Sequence, residues 1–185
     1  YTTLFRSQGI AMDEDVAFSY FEAAAKQGLA GAQYRLGILF LKGIGTQQDA
    51  KKAARWFHRA ATQGNIHAQT SLGTSYEKGW GVRINFLEAM KWYNEAAEQG
   101  SAIAQFNVGI LYMRGHEGQQ DLESARDAFE RAAEQGHPDA QYNLARMFDE
   151  GHTIEQDNSM SVVWYARASE KGHSLAQFNL GLKYF

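Results

Sequence analysis

The amino-acid sequence predicts an all-α fold, a solenoid of 36-residue antiparallel helix pairs, and three observations support this prediction. The same residue types recur every 36 positions, without insertion or deletion, along the 185 residues. Each period contains two stretches with the apolar spacing of an amphipathic helix. Residues typical of turns and helix ends separate these stretches at the same place in each period. We therefore expect a single array of about five copies over residues 1–185.

The first helical stretch of each copy, called helix A, shows the recurrence most clearly. In the first full copy it carries Ala32-Gln33, then Leu36, then Phe40. Because Ala32, Leu36 and Phe40 are four residues apart, they form one stripe on a helix predicted over roughly 30–42. One glycine precedes helix A in every copy, where the preceding helix must end in a left-handed residue. These glycines are Gly28, Gly64, Gly100, Gly136 and Gly172.

The second stretch, called helix B, is predicted to begin after Asp49. Its apolar residues are spaced i, i+3, i+4, i+7, i+8, which is the buried face of an amphipathic helix. In the first full copy these residues are Ala53, Trp56, Phe57, Ala60 and Ala61. Large rings beside small residues predict a densely interdigitated core.

Helix-end residues mark the boundaries of both stretches. Asn65 and Ser101 can cap helix A, and Pro138 falls in its first turn, where a missing N–H costs nothing. An Asx residue stands before each helix B and can accept hydrogen bonds from its free N–H groups. These Asx residues are Asp13, Asp49, Asn85, Asp121 and Asp157. Glycines within helix A cost about 1 kcal/mol each relative to Ala, so we expect a close helix crossing at each. They are Gly37, Gly73, Gly109 and Gly181.

Composition excludes several functional classes. The longest apolar run has about six residues, far below the ~20 of a membrane-spanning helix. The chain has no cysteine, which excludes disulfide scaffolds and thiol nucleophiles. A net charge of −3 with both signs interspersed gives no footprint for nucleic acid. We therefore expect neither membrane insertion nor nucleic-acid binding.

The string AAEQGSAIAQFNVGILYMRG, preceded by EAMKWYNEAAEQG, resembles the Sel-one-like repeat (SLR) family, a close relative of the tetratricopeptide repeat. The resemblance covers essentially the whole chain. It implies a right-handed superhelix in which helix A lines a concave face, and a non-enzymatic adaptor or scaffold role. The family's usual distribution implies a soluble protein of the bacterial cytoplasm or periplasm, although the sequence itself leaves the compartment unknown. The chain departs from the family pattern at loops 115–118 and 151–153 and at Ala128, which replaces the helix B Trp.

The search for chemistry yields no catalytic, cofactor-binding or metal-binding residues. Six histidines are present, but His116/His152 and His137/His173 are each one repeat apart. Equivalent positions in packed helices lie ~10 Å apart, too far to share one ion ligated at ~2 Å. We therefore expect loop or surface histidines, no cofactor and no enzyme.

Residues that vary between copies on the predicted concave face are the candidate partner-binding residues. Apolar side chains there favour a partner protein, and the asparagines form a ladder whose amides can pair with an extended peptide. The alternative is that the aromatic residues wedge between successive helices and the asparagines fix neighbouring backbone. The candidate set is Tyr34, Ile38, Leu41, Lys42, Thr70, Thr74, Lys78, Phe106, Asn107, Ile110, Met113, Arg114, Tyr142, Asn143, Arg146, Phe178, Asn179 and Leu182.

Two functions remain open from the sequence. The first is an adaptor that binds a peptide or helix of a partner protein in the concave groove. The second is a structural or self-assembling array, because both ends of the sequence cut through helix A. On that reading the exposed terminal helices stack on another copy, and the chain is a segment of a longer array.

Overall fold

The structure is a computed structural model that describes residues 13–115, 120–151 and 156–185. Within these ranges it contains ten α-helices and no β-strand. Contacts between residues divide the chain into two units, residues 1–85 and 86–185. The described part of the chain is all-α, as predicted; whether the copies form a single array stays a prediction.

The first unit contains two copies of each helix type. Its helices are α1 Glu14–Lys26, α2 Ala30–Lys42, α3 Ala50–Ala61 and α4 Ile66–Lys78. Helices α1 and α3 are helix B, whereas α2 and α4 are helix A. Each packs against the next helix along the chain. The bounds of α2 confirm the helix predicted over 30–42, and α3 begins directly after Asp49 as predicted.

The second unit contains three copies of each helix type. Its helices are α5 Phe86–Glu98, α6 Ala102–Arg114, α7 Leu122–Glu134, α8 Pro138–Glu150, α9 Asn158–Glu170 and α10 Ser174–Tyr184. Helices α6, α8 and α10 are helix A, and α5, α7 and α9 are helix B. Again each packs against the next along the chain. The ring of Phe129, the side chain of Leu144 and the rings of Trp164 and Tyr165 lie in one buried cluster with small alanines.

The predicted helix caps are largely confirmed. Four of the five predicted aspartate or asparagine caps of helix B accept a hydrogen bond from the first turn: Asp13, Asp49, Asp121 and Asp157. The Asn65 and Ser101 side chains accept from the backbone N–H groups of Ala68 and Ala104. The five repeated glycines before helix A all have positive φ, between 80° and 95°. Of the two divergent loops, residues 116–118 and 152–153 lie outside the described residues.

The repeated glutamine of helix A joins consecutive helices. The side-chain amide of Gln105 donates to the carbonyl of Ala97 at 3.2 Å, and that of Gln141 donates to the carbonyl of Ala133 at 3.0 Å. Because the last carbonyls of a helix have no partner within it, the amide satisfies an acceptor that burial would otherwise leave unpaired. The same bond occurs in all five copies, from Gln33, Gln69 and Gln177 as well.

Two of the glycines inside helix A lie at close crossings, as predicted. A Cβ at Gly37 would lie 2.5 Å from Cε1 of Phe57, and one at Gly109 would lie 2.6 Å from Cε1 of Phe129. Each ring comes from the helix B that follows. At Gly181, on α10, the prediction is wrong, because a Cβ there would meet nothing within 4 Å.

Gly109→Ala and Gly181→Ala are expected to change stability in opposite directions. Gly109→Ala forces a methyl group against the Phe129 ring, so we expect the free energy of unfolding to fall by about 1–3 kcal/mol. Gly181→Ala adds helix propensity without a clash and is expected to raise it by up to about 1 kcal/mol. Urea unfolding followed by circular dichroism measures both. Equal effects at the two positions would contradict the packing role of Gly109.

Candidate partner-binding surface

The eighteen predicted partner-binding residues all lie on helix A elements, and none is fully buried. Five are exposed: Lys42, Lys78, Arg114, Phe178 and Leu182. Thirteen are half-buried: Tyr34, Ile38, Leu41, Thr70, Thr74, Phe106, Asn107, Ile110, Met113, Tyr142, Asn143, Arg146 and Asn179. Within each unit, the side chains of this set are therefore solvent-accessible to different extents.

The aromatic residues of this face mostly pack between helices. The ring of Phe106 stacks on the imidazole of His137 at 4.7 Å between centroids, and Tyr142 stacks on His173 at 4.5 Å. Tyr34 makes the equivalent stack in the first unit. Each ring thus contacts the start of the next helix A, which supports the alternative interpretation that they wedge between helices. Phe178, at the same register, is 64% exposed.

The aliphatic and threonine members of the set also have internal contacts. Ile110 and Met113 pack against the buried cluster of the second unit. The hydroxyls of Thr70 and Thr74 donate to the carbonyls one turn earlier, of Ile66 and Thr70, at 3.0 and 3.1 Å. These bonds occupy the hydroxyl protons, so at those two positions only oxygen lone pairs can face a partner.

The asparagines of the predicted ladder use part of their hydrogen-bonding capacity internally. The Asn143 amide donates to the Asp139 carbonyl at 2.7 Å, and the Asn179 amide donates to the Tyr165 hydroxyl at 3.1 Å. Asn107 is half-buried on α6. A carboxamide has two N–H donors and an oxygen acceptor, so one internal bond leaves Asn179 able to bind a peptide backbone group.

Ion pairs neutralise much of the charge at the C-terminal end of this face. The Arg146 guanidinium donates to the Glu150 carboxylate at 2.6 Å, and this bond raises the pKa of Arg146. The Lys183 ammonium pairs with Asp149 and donates to the Asn158 amide oxygen at 2.8 Å. Lys183 and Arg146 therefore balance the acidic residues Asp149 and Glu150 at this end.

A concavity of about 290 Å³ lies between α8, α9 and α10. Three predicted residues line it: Arg146, Asn179 and Leu182. The other four lining residues are outside the predicted set: Asp149, Glu150, Tyr165 and Lys183. At the register of Lys183 the other four copies have uncharged residues, Leu39, Ser75, Leu111 and Met147, and this difference was the signal available in the sequence.

The Tyr165 hydroxyl, which lines this concavity, is harder to deprotonate than an exposed phenol. Burial raises the pKa of Tyr165 to about 12, and the hydrogen bond from Asn179 opposes the rise. The hydroxyl is therefore neutral at physiological pH, and its proton remains available for donation.

The histidines that begin α8 and α10 have a structural role that the sequence did not indicate. The Nδ1 atom of His137 accepts from the Ala140 N–H at 3.3 Å, and that of His173 accepts from the Ala176 N–H at 3.1 Å. Both are half-buried caps in the loops just before these helices, which agrees with the expectation of loop or surface histidines but adds a capping role that was not predicted. Their register with Asn65 and Ser101 was the available signal.

Acidification is expected to destabilise the protein through His137. Burial lowers the pKa of His137 below its ordinary value of 6.5, with a smaller opposing effect from Asp139. The unfolded chain then binds the proton more readily, so the stabilisation is complete above 6.5, declines as the pH falls below it, and is lost below the folded-state pKa. Because an imidazolium cannot accept the Ala140 bond, the loss should approach the ~1 kcal/mol of a helix cap.

The measurement is urea unfolding of the wild type and of His137→Asn between about pH 7 and pH 5. Asparagine caps α4 at the equivalent position without titrating, so the variant should show a flatter dependence on pH. Parallel curves for the two proteins would contradict the assignment to His137.

Neither a metal cluster nor a membrane span is found among the described residues. No group of three or more histidine and carboxylate side chains in residues 13–115, 120–151 and 156–185 is placed to hold a metal ion. In the same ranges no helix has both the length and the apolarity to cross a bilayer.

Comparison with known families accounts for the 36-residue period. A family profile described as Sel1 repeat matches residues 4–29, 30–65, 66–101, 102–137 and 138–173. The chain belongs to the Sel1 repeat family. Each full Sel1 repeat comprises one helix A and the helix B that follows it. Sel1 repeat proteins generally mediate protein–protein interactions and are generally non-catalytic.

Solved structures of Sel1 repeat proteins share this fold. A protective antigen present in uropathogenic Escherichia coli strains, which displays an SLR fold, is 31% identical with a TM-score of 0.90; the match covers 98% of this chain and 39% of that chain. A Sel1 repeat protein from Oxalobacter formigenes is 30% identical with a TM-score of 0.90, and the match covers 97% and 74%. These matches confirm the predicted helix-pair solenoid class.

The Sel1 repeats described here span about two fifths of the length of the E. coli antigen. A Sel1 repeat protein from Klebsiella pneumoniae is 20% identical with a TM-score of 0.60, over 98% of this chain and 88% of that one, and shares the fold alone. No curated protein sequence matches the chain.

Proposed function

We propose that this chain is a non-enzymatic adaptor that binds a peptide or helix of a partner protein on its helix A face. The observation that carries the proposal is the concavity between α8, α9 and α10, where three predicted partner-binding residues meet beside exposed apolar side chains. Family membership supports the general role, because Sel1 repeat proteins generally mediate protein–protein interactions.

The apolar contribution comes from α10. Leu175, Phe178 and Leu182 are 54%, 64% and 61% exposed. Their spacing of three and four residues places them on one face of the helix. Contiguous apolar side chains on a surface mark partner sites, and an amphipathic helix or an extended strand can cover such a stripe.

The polar contribution comes from the concavity itself. Asn179 can pair with a backbone group of an extended segment, and Arg146 with its partner Glu150 presents both charges at the rim. The acids and bases lining the concavity are paired with one another, and Tyr165 is neutral. The arrangement therefore offers groups that bind rather than a nucleophile or a free base, which supports the non-enzymatic assignment.

The proposal is tested by selecting binders from a random peptide library displayed on phage, with the wild-type chain as bait. Leu182→Glu places a charge on an exposed residue of the proposed site and should weaken the selected peptides by at least ~tenfold, as at an interface hot spot. Val163→Glu is the matched control, since Val163 is 42% exposed but lies on α9, a helix B. Peptides that bind Leu182→Glu as well as wild type would contradict the proposal.

A second copy of the chain is the alternative occupant of the same apolar stripe. Light scattering of the wild type and Leu182→Glu over a range of concentrations separates the two functions. A molecular mass that rises with concentration in the wild type, and not in the variant, would favour the self-assembling array over the peptide adaptor.

A further inference from the structure

One helix B lacks a tryptophan that the other three full copies have. Trp56, Trp92 and Trp164 occupy this register, whereas the fourth residue is Ala128 on α7. In two copies an arginine three residues later covers the indole: Arg59 lies 4.6 Å from the Trp56 ring centroid and Arg167 lies 4.5 Å from that of Trp164. On α7 the residue three positions after Ala128 is also an arginine, Arg131, although the tryptophan ring is missing there.

A cavity of about 240 Å³ opens at this position, between α5, α6 and α7. Ala128 and Arg131 of α7 line it, together with Ala97 of α5 and Val108 of α6. Asn94, Glu98 and Gln105 complete the wall. Val108 is itself smaller than the leucine that the other copies have at its register, so two reductions in side-chain size coincide at one site.

The next copy along the chain shows what normally fills this space. Trp164 belongs to the same buried cluster as Ala133 and Leu144, which stand at the registers of Ala97 and Val108. Ala133 and Leu144 are each 1% exposed. Ala97, by contrast, is only half-buried. Val108 and Ala128 remain only 4% and 2% exposed, so the missing indole leaves chiefly Ala97 uncovered.

We propose that this cavity binds a planar aromatic ring of indole size, supplied by a ligand rather than by the chain. The methyl groups of Ala97, Val108 and Ala128 line the cavity and give the ring apolar contacts, and the ring would cover the part of Ala97 that is still exposed. Arg131 can cover its face, as Arg59 and Arg167 cover their tryptophans. The carboxylate of Glu98 lines the same cavity and can accept the indole N–H.

The residues that line this site belong to α5, α6 and α7. Those that line the proposed peptide site belong to α8, α9 and α10, so the two sites are separate. The ring can come from a free indole compound or from a tryptophan side chain of another protein. Both sources present the same ring but differ in the groups attached to it. Those groups must fit beside Asn94 and Glu98, which also line the cavity.

The test is an NMR titration of the isotopically labelled chain with indole and, separately, with N-acetyl-tryptophanamide. Saturable shifts are expected at Ala97, Gln105, Val108 and Ala128. Binding of both probes assigns the site to a tryptophan side chain, and binding of indole alone assigns it to a free aromatic compound. The absence of saturable shifts with either probe overturns the proposal.

Three variants locate the binding. Ala128→Trp restores the indole of the other copies and should abolish the shifts. Val108→Leu introduces only the leucine found in those copies and should weaken indole by at least ~fivefold, the lower end of the cost of overpacking by one methylene. Leu182→Glu should leave indole binding unchanged, which separates this site from the peptide site. Unchanged affinity in Val108→Leu overturns the proposal even if Ala128→Trp fails to fold.

Discussion

Replacing Phe129 by Ala is expected to lower the free energy of unfolding by about 3–5 kcal/mol, the usual cost of truncating a buried phenylalanine. Phe129 is fully buried and joins α6 to α7, since its ring faces Gly109 and contacts Phe106 at 5.8 Å between centroids. Seven of the twelve buried residues of this cluster are alanines, whose short side chains cannot extend into the void. Urea unfolding followed by circular dichroism measures the loss.

Phe178→Ala is the matched control for this experiment. It removes the same side chain from a position that is 64% exposed, so we expect a change within about 0.5 kcal/mol, as is usual for surface substitutions. A similar loss at both positions would contradict the view that the ring from helix B fills the helix A crossing.

Replacing Gly81 by Ala is expected to have the second large effect, a loss of about 3 kcal/mol, because left-handed strain and a steric overlap act together. Gly81 has a φ of 74°. A Cβ at Gly81 would overlap the carbonyl oxygen of Ala50 and lie 2.7 Å from the Lys51 backbone nitrogen. Both are backbone atoms at the start of α3, so a side-chain rotation cannot relieve the overlap.

Gly64→Ala measures the cost of the left-handed backbone alone, so its difference from Gly81→Ala gives the contribution of the steric overlap. Gly64 also has a positive φ, of 80°, but a Cβ there would meet nothing within 4 Å. It should cost only the ~1–2 kcal/mol of the left-handed backbone. Thermal or urea unfolding of both variants gives the comparison, and equal losses would show that the loop of Gly81 does not depend on its contact with α3.

The fold could be predicted closely from the sequence because most of its determinants are local. The i, i+4 stripe of Ala32, Leu36 and Phe40 sets the buried face of α2, and Asp49 fixes the residue at which α3 begins. The bond from Gln105 to the Ala97 carbonyl could not be predicted in the same way. It depends on where one helix ends beside another, and residue spacing alone does not contain that information.

The candidate surface was predicted less completely, because its members depend on contacts between helices. Spacing identified Asn179 and Leu182, which line the concavity. It could not show that Phe106 is stacked on His137, since that contact joins α6 to the start of α8. For the same reason it missed Lys183, whose partner Asp149 lies one repeat earlier.

Hydrogen exchange of the 185-residue chain, with and without a peptide selected by the wild type, tests the central claim most directly. We expect the bound peptide to slow amide exchange in α8 and α10, the helix A elements that border the concavity. Exchange in α5 and α7, which are helix B elements, should stay unchanged. Slowing confined to α5 and α7 would contradict partner binding on the helix A face.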